Sequence, residues 1–138
     1  MNATITKFGY PGTLLRDYDH WVLLLRPAQV TAGSLILAAK GEATAYGALP
    51  QAAFTEQAAI VAELENMLRS AVNPDKINYL MLMMVDPHVH FHIFPRYQGD
   101  RSIAGLVLTD RGWPGPPDLK SAVELDPTSI GQLVDVFR

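Results

Sequence analysis

The sequence predicts an α+β domain in which an antiparallel sheet of about five strands is combined with one long helix and a C-terminal helix. Two observations lead to this prediction. Helical periodicity is confined to one long segment, and short apolar segments bounded by turn residues lie on both sides of it. The chain has 138 residues, enough for a single domain, residues 1–138, that buries its own core.

The first half of the chain contains three predicted strands. Residues 13–26 predict two strands joined by a polar turn at 16–19, and Pro27 ends the second of them. A loop at 31–34 leads to a third apolar strand at 35–40. Because a short polar turn joins the first two strands, we expect them to pair in antiparallel orientation.

The long helix is predicted at residues 51–72, directly after Pro50. Asn73, Pro74 and Asp75 end it, because proline disfavours helical backbone in the residue before it. Apolar residues recur there at steps of three and four, which predicts one buried stripe. The residues of this stripe are Phe54, Ala58, Val61, Leu64 and Leu68.

The second half begins with a continuous apolar run at 77–85, which predicts a central strand. Asp86 and Pro87 form a tight-turn signal, so this strand is expected to pair with the segment that follows. Residues 103–108 predict an edge strand or a docked segment. Asp126 is a predicted helix cap, and the C-terminal helix is expected over 128–137.

Three of the four histidines, His88, His90 and His92, occupy alternate positions of one short stretch. A β-strand sends successive side chains to opposite faces, so this spacing predicts three imidazoles on one face. The intervening positions are apolar, as expected for the buried side of the same strand. They are Val89, Phe91 and Ile93.

A row of imidazoles suits chemistry at phosphorus. A neutral imidazole is a nucleophile near pH 7, and a protonated neighbour supplies positive charge and a proton for the leaving group. Arg96 has the same strand parity and is a candidate phosphate ligand, although an exposed strand-end arginine is an equally good interpretation. A second hypothesis is a zinc site, in which one pair of alternate histidines would need a distant ligand such as His20.

Composition excludes several classes of function. The formal net charge is −3, the pI is about 5.7, and basic residues are dispersed, which argues against a nucleic-acid partner. The absence of cysteine excludes disulfides and thiolate chemistry. No apolar run approaches the roughly 20 residues of a membrane span, and the N-terminal residues do not resemble a signal peptide. We expect a cytoplasmic protein without membrane contact.

The segment HVHFHIFPR resembles the signature of the histidine-triad (HIT) family, in which three histidines alternate with apolar residues. Its PR ending is most similar to the fragile-histidine-triad and dinucleoside-polyphosphate-hydrolase branch. The order of elements over residues 14–99 is also similar, whereas 100–138 is a divergent C-terminal segment. The resemblance implies a HIT-like fold without a cofactor or metal, and a homodimer whose two sheets join edge to edge.

The same resemblance implies a nucleotide hydrolase or nucleotidyl transferase that cleaves a phosphoanhydride or phosphoramidate, such as a dinucleoside polyphosphate. His90 would attack the α-phosphorus of the nucleotide and form a nucleotidyl-histidine. His92 would contact the phosphate and assist the leaving group, and His88 would orient the site. Ser34 stands where the family has a further histidine and is a candidate phosphate ligand.

Two other positions depart from the family pattern. The loop that grips the phosphate is expected to be reduced to the Asp86–Pro87 turn, and Leu25 stands where a nucleoside-contacting asparagine would be. These departures leave a third hypothesis open, a nucleotide-binding module without catalytic activity.

Overall fold

A computed structural model describes all 138 residues. Its helices are α1 (Ala3–Lys7), α2 (Gln51–Ala71) and α3 (Pro127–Phe137). Its strands are β1 (Leu14–Asp17), β2 (Trp21–Leu25), β3 (Ala28–Gln29), β4 (Leu35–Ala39), β5 (Lys76–Leu80), β6 (His90–Arg96), β7 (Asp100–Ile103), β8 (Leu106–Thr109) and β9 (Val123–Glu124). Five strands form one antiparallel sheet in the order β1-β2-β4-β6-β5, which confirms the predicted α+β class.

The two faces of the sheet are covered by different helices. Alternate residues of β2 and β4 point to the face that packs against α2 and α3, as expected for period-two strands. The residues between them form a smaller cluster that includes Ile5 of α1. Ile36 and Ala38 belong to this smaller cluster and lie directly opposite His92 and His90. Paired residues in neighbouring strands share a face, so these two imidazoles lie on the α1 side of the sheet.

Helix α2 has nearly the predicted boundaries, but its buried stripe is rotated. Leu64 and Leu68 are buried as expected, whereas Ala58 is exposed. Ala53 and Ile60 are buried instead, and the Ala53 carbonyl accepts a hydrogen bond of 2.8 Å from the Trp21 indole. The predicted stripe therefore lies partly at the rim of the helix–sheet contact. None of the three helices has the length and apolar character needed to cross a membrane.

The predicted central strand at 77–85 is wrong in two respects. β5 ends at Leu80, and it lies at the edge of the sheet. β5 does pair antiparallel with β6, but residues 81–89 form a long connecting loop instead of a tight turn at Asp86 and Pro87. The backbone leaves the strand conformation completely at Met83, where φ is 50°. An apolar run has the same appearance in a buried strand and in the wall of a cleft, which explains the error.

The C-terminal segment packs back onto this framework. Residues 103–108, predicted as an edge strand or a docked segment, belong to a hairpin instead. Ala104 and Gly105 have φ values of 48° and 80° and form the turn between β7 and β8. The predicted start of the last helix is confirmed: the Asp126 side chain accepts a hydrogen bond of 2.7 Å from the Ser129 amide. Helix α3 contributes Phe137 to the main core.

Candidate active site

An open cleft of about 480 Å³ lies on the α1 side of the sheet, over His90 and His92 of β6. His90 and His92 form part of its floor. The other lining residues come from the α1 region, the segment after β2, the 81–89 loop and the C-terminal segment. They are Lys7, Phe8, Arg26, Pro27, Ala28, Leu82, Met83, Met84, Val85, Asp86, Leu119 and Glu124.

The imidazole of His90 is held in one orientation. Its Nδ1 lies 2.7 Å from the backbone carbonyl oxygen of His88, which can only accept, so Nδ1 carries the proton and donates. The lone pair of the neutral ring is therefore on Nε2. Only 1% of His90 is exposed, and its cross-strand neighbour is the small residue Ala38. The His90 ring is thus held in a fixed orientation, with Nε2 as the ring nitrogen that does not bind the His88 carbonyl.

The imidazole of His92 lies beside that of His90, with ring centroids 5.0 Å apart. Burial, the positive charge of Arg26 and the neighbouring His90 together lower the pKa of His92 to about 4. Arg26 Nε donates to His92 Nδ1 at 3.4 Å, which leaves the His92 proton on Nε2. The free site therefore contains a neutral His92 whose N–H is available to a bound group.

His88 precedes β6, which begins at His90. Its Nδ1 lies 2.8 Å from the hydroxyl of Thr4, and its Nε2 lies 2.9 Å from a carboxylate oxygen of Glu42. The ring does not line the cleft, but its contact with Thr4 of α1 places it on the same side of the sheet as His90 and His92, as predicted for the three imidazoles. His88 acts on the site through its backbone carbonyl, which fixes His90.

The N-terminal segment supplies a site residue that the sequence did not reveal. The Phe8 ring packs against both cleft imidazoles, with centroids 5.6 Å from His90 and 5.8 Å from His92. The Asn2 side chain caps α1 at the Ile5 amide and also donates to the carbonyls of Ala39, at the end of β4, and Gly41. The five-residue α1 is too short to produce a periodic pattern, and Asn2 is its one sequence signal.

Arg26 is the second site residue that sequence reasoning missed. It follows β2 directly, donates to the Ala28 carbonyl, and places its guanidinium 5.7 Å from the centre of the Phe94 ring. Its contact with His92 joins positions 66 residues apart in the sequence. A long-range contact of this kind leaves no local pattern in the sequence.

Two predicted substrate ligands lie outside the cleft. Ser34 is buried in the loop before β4, where its hydroxyl donates to the Thr31 carbonyl at 2.7 Å. Arg96 is buried as well, and donates to Asp110 at 2.7 and 3.0 Å and to Asn78 at 2.7 Å. Both side chains are fully engaged in holding the fold together, so their predicted contacts with substrate find no support in this structure.

The ligand set of the zinc hypothesis is not assembled. His20 lies in the connection between β1 and β2, and its amide donates to Glu56 at 2.7 Å. No group of three or more histidine, aspartate or glutamate side chains has an arrangement that could hold a metal ion.

Comparison with known proteins identifies the fold. No family model and no curated protein sequence matches the chain. Solved structures do match over almost the full length. A histidine triad protein from Sinorhizobium meliloti 1021 matches with a TM-score of 0.76 at 16% sequence identity. A histidine triad protein from Bradyrhizobium japonicum matches with a TM-score of 0.74 at 16% sequence identity. Each alignment covers 99% of this chain and 93% of the other chain. This chain has the histidine-triad fold.

A further histidine-triad structure, a hypothetical nucleotide-binding protein from Sulfolobus tokodaii, matches with a TM-score of 0.71 at 19% identity. That alignment covers 97% of this chain and 86% of the other. The likeness therefore includes the C-terminal segment, which the sequence resemblance did not cover. The predicted HIT-like fold is confirmed.

Proposed function

We propose that this protein is a nucleotide hydrolase or nucleotidyl transferase that works through a covalent nucleotidyl-histidine at His90. The observation that carries the proposal is the 2.7 Å hydrogen bond from His90 Nδ1 to the His88 carbonyl. It fixes the tautomer, so that Nε2 has a lone pair available for attack on phosphorus. The expected substrates are nucleoside phosphoanhydrides and phosphoramidates.

The first step forms a bond between His90 Nε2 and the α-phosphorus and breaks the bond from phosphorus to the leaving group. The leaving atom needs a proton, and His92 is the neighbouring donor. His92 is neutral in the free site, and the negative charge of a bound phosphate favours its protonated form. After proton transfer, His92 is neutral and His90 carries the nucleotidyl group as an imidazolium.

The second step returns both residues to their states in the substrate complex, and His92 loses its extra proton when the products leave. A water molecule attacks the phosphorus, the bond to His90 Nε2 breaks, and the water proton passes to His92. The products are a nucleoside monophosphate and the protonated leaving group, so the net reaction is hydrolysis. A different acceptor in place of water makes the same reaction a nucleotidyl transfer.

The surroundings of the histidines suit a nucleotide. Phe8 offers an aromatic ring beside the imidazoles, and Arg26 offers a cation within the same cleft. The Sulfolobus tokodaii protein that shares the fold is described as nucleotide-binding, which is in line with this proposal.

The test uses adenosine 5′-phosphoramidates and diadenosine tetraphosphate with purified protein. We expect His90→Asn to lose at least a thousandfold in turnover while its circular dichroism remains that of the wild type. His20→Asn is the matched control, because it removes the one histidine outside the triad. A wild-type protein that binds AMP in calorimetry but cleaves none of these substrates is a binding module, and the enzyme proposal then fails.

We also propose that two copies associate through the edge strand β5, which pairs with β6 on one side and has a free backbone edge on the other. An open apolar groove lies beside this edge. It is lined by Tyr46, Phe54, Gln57, Ala58, Val61, Tyr79 and Phe91. This groove contains the part of the predicted α2 stripe that the core does not bury, so a second copy explains why these positions are apolar.

Light scattering tests the association. We expect twice the 15.2 kDa mass of the chain for the wild type and the single mass for Val61→Asp. Val107→Asp, at an exposed position of β8 outside the groove, should remain dimeric. A monomeric wild-type protein contradicts this part of the proposal.

A further inference from the structure

The peptide unit between His88 and Val89 takes part in two hydrogen bonds, and one of them orients His90. Its carbonyl accepts from His90 Nδ1 at 2.7 Å, and its amide donates to the Ala43 carbonyl at 3.2 Å. In a trans peptide the carbonyl and the amide point in opposite directions from one rigid plane. A rotation of this plane moves the acceptor of the His90 proton, so the orientation of His90 depends on how firmly residues 88 and 89 are held.

The imidazole of His88 is held at both ring nitrogens. Its Nδ1 lies 2.8 Å from the Thr4 hydroxyl, and its Nε2 lies 2.9 Å from a carboxylate oxygen of Glu42. An ionised carboxylate only accepts, so Nε2 donates to Glu42. A hydroxyl both donates and accepts, so Thr4 can bind Nδ1 with or without a proton on that nitrogen. Both contacts are therefore compatible with either protonation state of the ring.

The two segments that hold His88 are themselves linked. Thr4 belongs to α1, and Asn2, the cap of this helix, donates to the Gly41 carbonyl at 2.7 Å. Glu42 is the next residue after Gly41. Hydrogen bonds thus join α1, the connection between β4 and α2, and His88 in one closed circuit.

Burial distinguishes the two side-chain contacts of His88. Thr4 is 2% exposed and the His88 side chain is 12% exposed, so the hydroxyl–imidazole contact is shielded from water. The Glu42 side chain is 80% exposed, and exposed contacts of a charged group contribute little and are screened by salt. We therefore expect Thr4 to hold His88 more firmly than Glu42 does.

We propose that Thr4 and Glu42 are positioning residues for the nucleophile, because they hold the His88 imidazole and with it the peptide unit whose carbonyl orients His90. This inference rests on the proposed function. Neither side chain lines the cleft, so both act through His88 and not on the substrate. Loss of these contacts should therefore lower kcat, which depends on the orientation of His90, and leave KM unchanged.

The first test measures kcat and KM with adenosine 5′-phosphoramidate. Thr4→Val removes the hydroxyl and keeps a side chain of similar size, and we expect kcat to fall about fivefold to tenfold with KM within about twofold. Thr4→Ser keeps the hydroxyl, so its kcat should stay within about twofold of the wild type. Thr31→Val is the matched control, because Thr31 is 1% exposed and its hydroxyl lies beside Ser34 and contacts no histidine.

Glu42 is tested in the same assay. Glu42→Ala should lower kcat about twofold at low salt and by less at about 0.5 M salt, because the contact is exposed. Glu42→Gln keeps an acceptor for His88 Nε2 and should restore the wild-type kcat. Glu63→Ala is the control, because it removes an exposed carboxylate that pairs with Arg16.

The second test observes the orientation of His90 without measuring activity. The Nδ1 proton of His90 should exchange slowly with water, because it is hydrogen-bonded and the residue is 1% exposed. In protein with ¹⁵N-labelled histidine, we expect Thr4→Val to raise this exchange rate at least about tenfold and Thr31→Val to leave it within about twofold. Glu42→Ala, at its exposed position, supplies the same two measurements if Thr4→Val does not fold.

Two results overturn the positioning role and leave the proposed function intact. One is an exchange rate in Thr4→Val within twofold of the wild type, and the other is an equal loss of kcat in Thr4→Ser. If the wild type cleaves no phosphoramidate, the proposed function fails, whereas the exchange rates still decide whether Thr4 and Glu42 hold His90 in place.

Discussion

Removal of the Arg26 charge should raise the pKa of His92 and leave most of its depression in place. In the wild-type protein Arg26 Nε lies 3.4 Å from His92 Nδ1. The relevant variant is Arg26→Gln, which removes the positive charge and keeps an amide donor near His92 Nδ1. Burial is the largest cause of the low pKa of His92, with the Arg26 charge second. The variant therefore separates these two contributions.

The expected change in the pKa of His92 follows from the distance between Arg26 Nε and His92 Nδ1. Two unit charges separated by 3.4 Å interact by about 1 kcal/mol in water and by about 5 kcal/mol at an effective dielectric constant of 20. Arg26 and His92 are both half-buried at an open cleft, so a value near the lower limit applies. One pKa unit corresponds to about 1.4 kcal/mol, and we expect the pKa of His92 to rise from about 4 to about 5.

The assay is the titration of the imidazole nitrogens by two-dimensional NMR of ¹⁵N-labelled protein. Arg69→Gln provides the matched control, because it makes the same charge change on the exposed side of α2. Two results contradict the reasoning. If the pKa of His92 stays at its wild-type value in Arg26→Gln, the Arg26 charge has no influence on it. If the pKa of His92 rises to near 6.5, burial has little influence on it.

Three further predictions concern the stability of the fold and of the N-terminal segment. Asp110→Ala should lower the free energy of unfolding by about 3–5 kcal/mol in urea titrations, because it leaves the buried Arg96 without its ion-pair partner. Asp100→Ala, in the same hairpin, should lower the free energy of unfolding by less than about 1 kcal/mol. Burial raises the pKa of Asp110, but hydrogen bonds from Arg96 outweigh this effect and lower the pKa. The ion pair should therefore stabilise the fold at neutral pH, and this contribution should be lost as the pH falls below about 4. In Asp110→Asn the free energy of unfolding should depend less on pH in this range. Asn2→Ala should cost about 1–2 kcal/mol and increase the protease sensitivity of the N-terminal segment, while unchanged stability and sensitivity contradict the assigned capping role.

The elements of the sheet that are defined by local patterns could be predicted from the sequence. β1, β2 and β4 have short apolar segments between turn residues, and α3 has a helix cap followed by proline. His90 and His92 lie on one face because strand periodicity requires it. These features depend on neighbouring residues and are therefore visible in a single sequence.

The errors arose where long-range packing decides the structure. Nothing in the run at 77–85 shows that the chain leaves the sheet after Leu80, because the pairing of Leu80 with His92 depends on a distant strand register. The same is true of Arg96, whose partner Asp110 lies 14 residues further on in the hairpin that the sequence did not reveal. Phe8 and Arg26 reach the site through contacts with β6, so neither has a local signature.

The most direct test of the proposed chemistry is the location of the covalent intermediate. The protein is mixed with an adenosine phosphoramidate, quenched within milliseconds to seconds under mildly alkaline conditions that preserve phosphorus–nitrogen bonds, digested, and sequenced by tandem mass spectrometry. We expect an adenylyl group on His90, absent from His90→Asn. Turnover by His90→Asn, or an adenylyl group on His88 or His92 in the wild type, contradicts the assignment of His90 as the nucleophile.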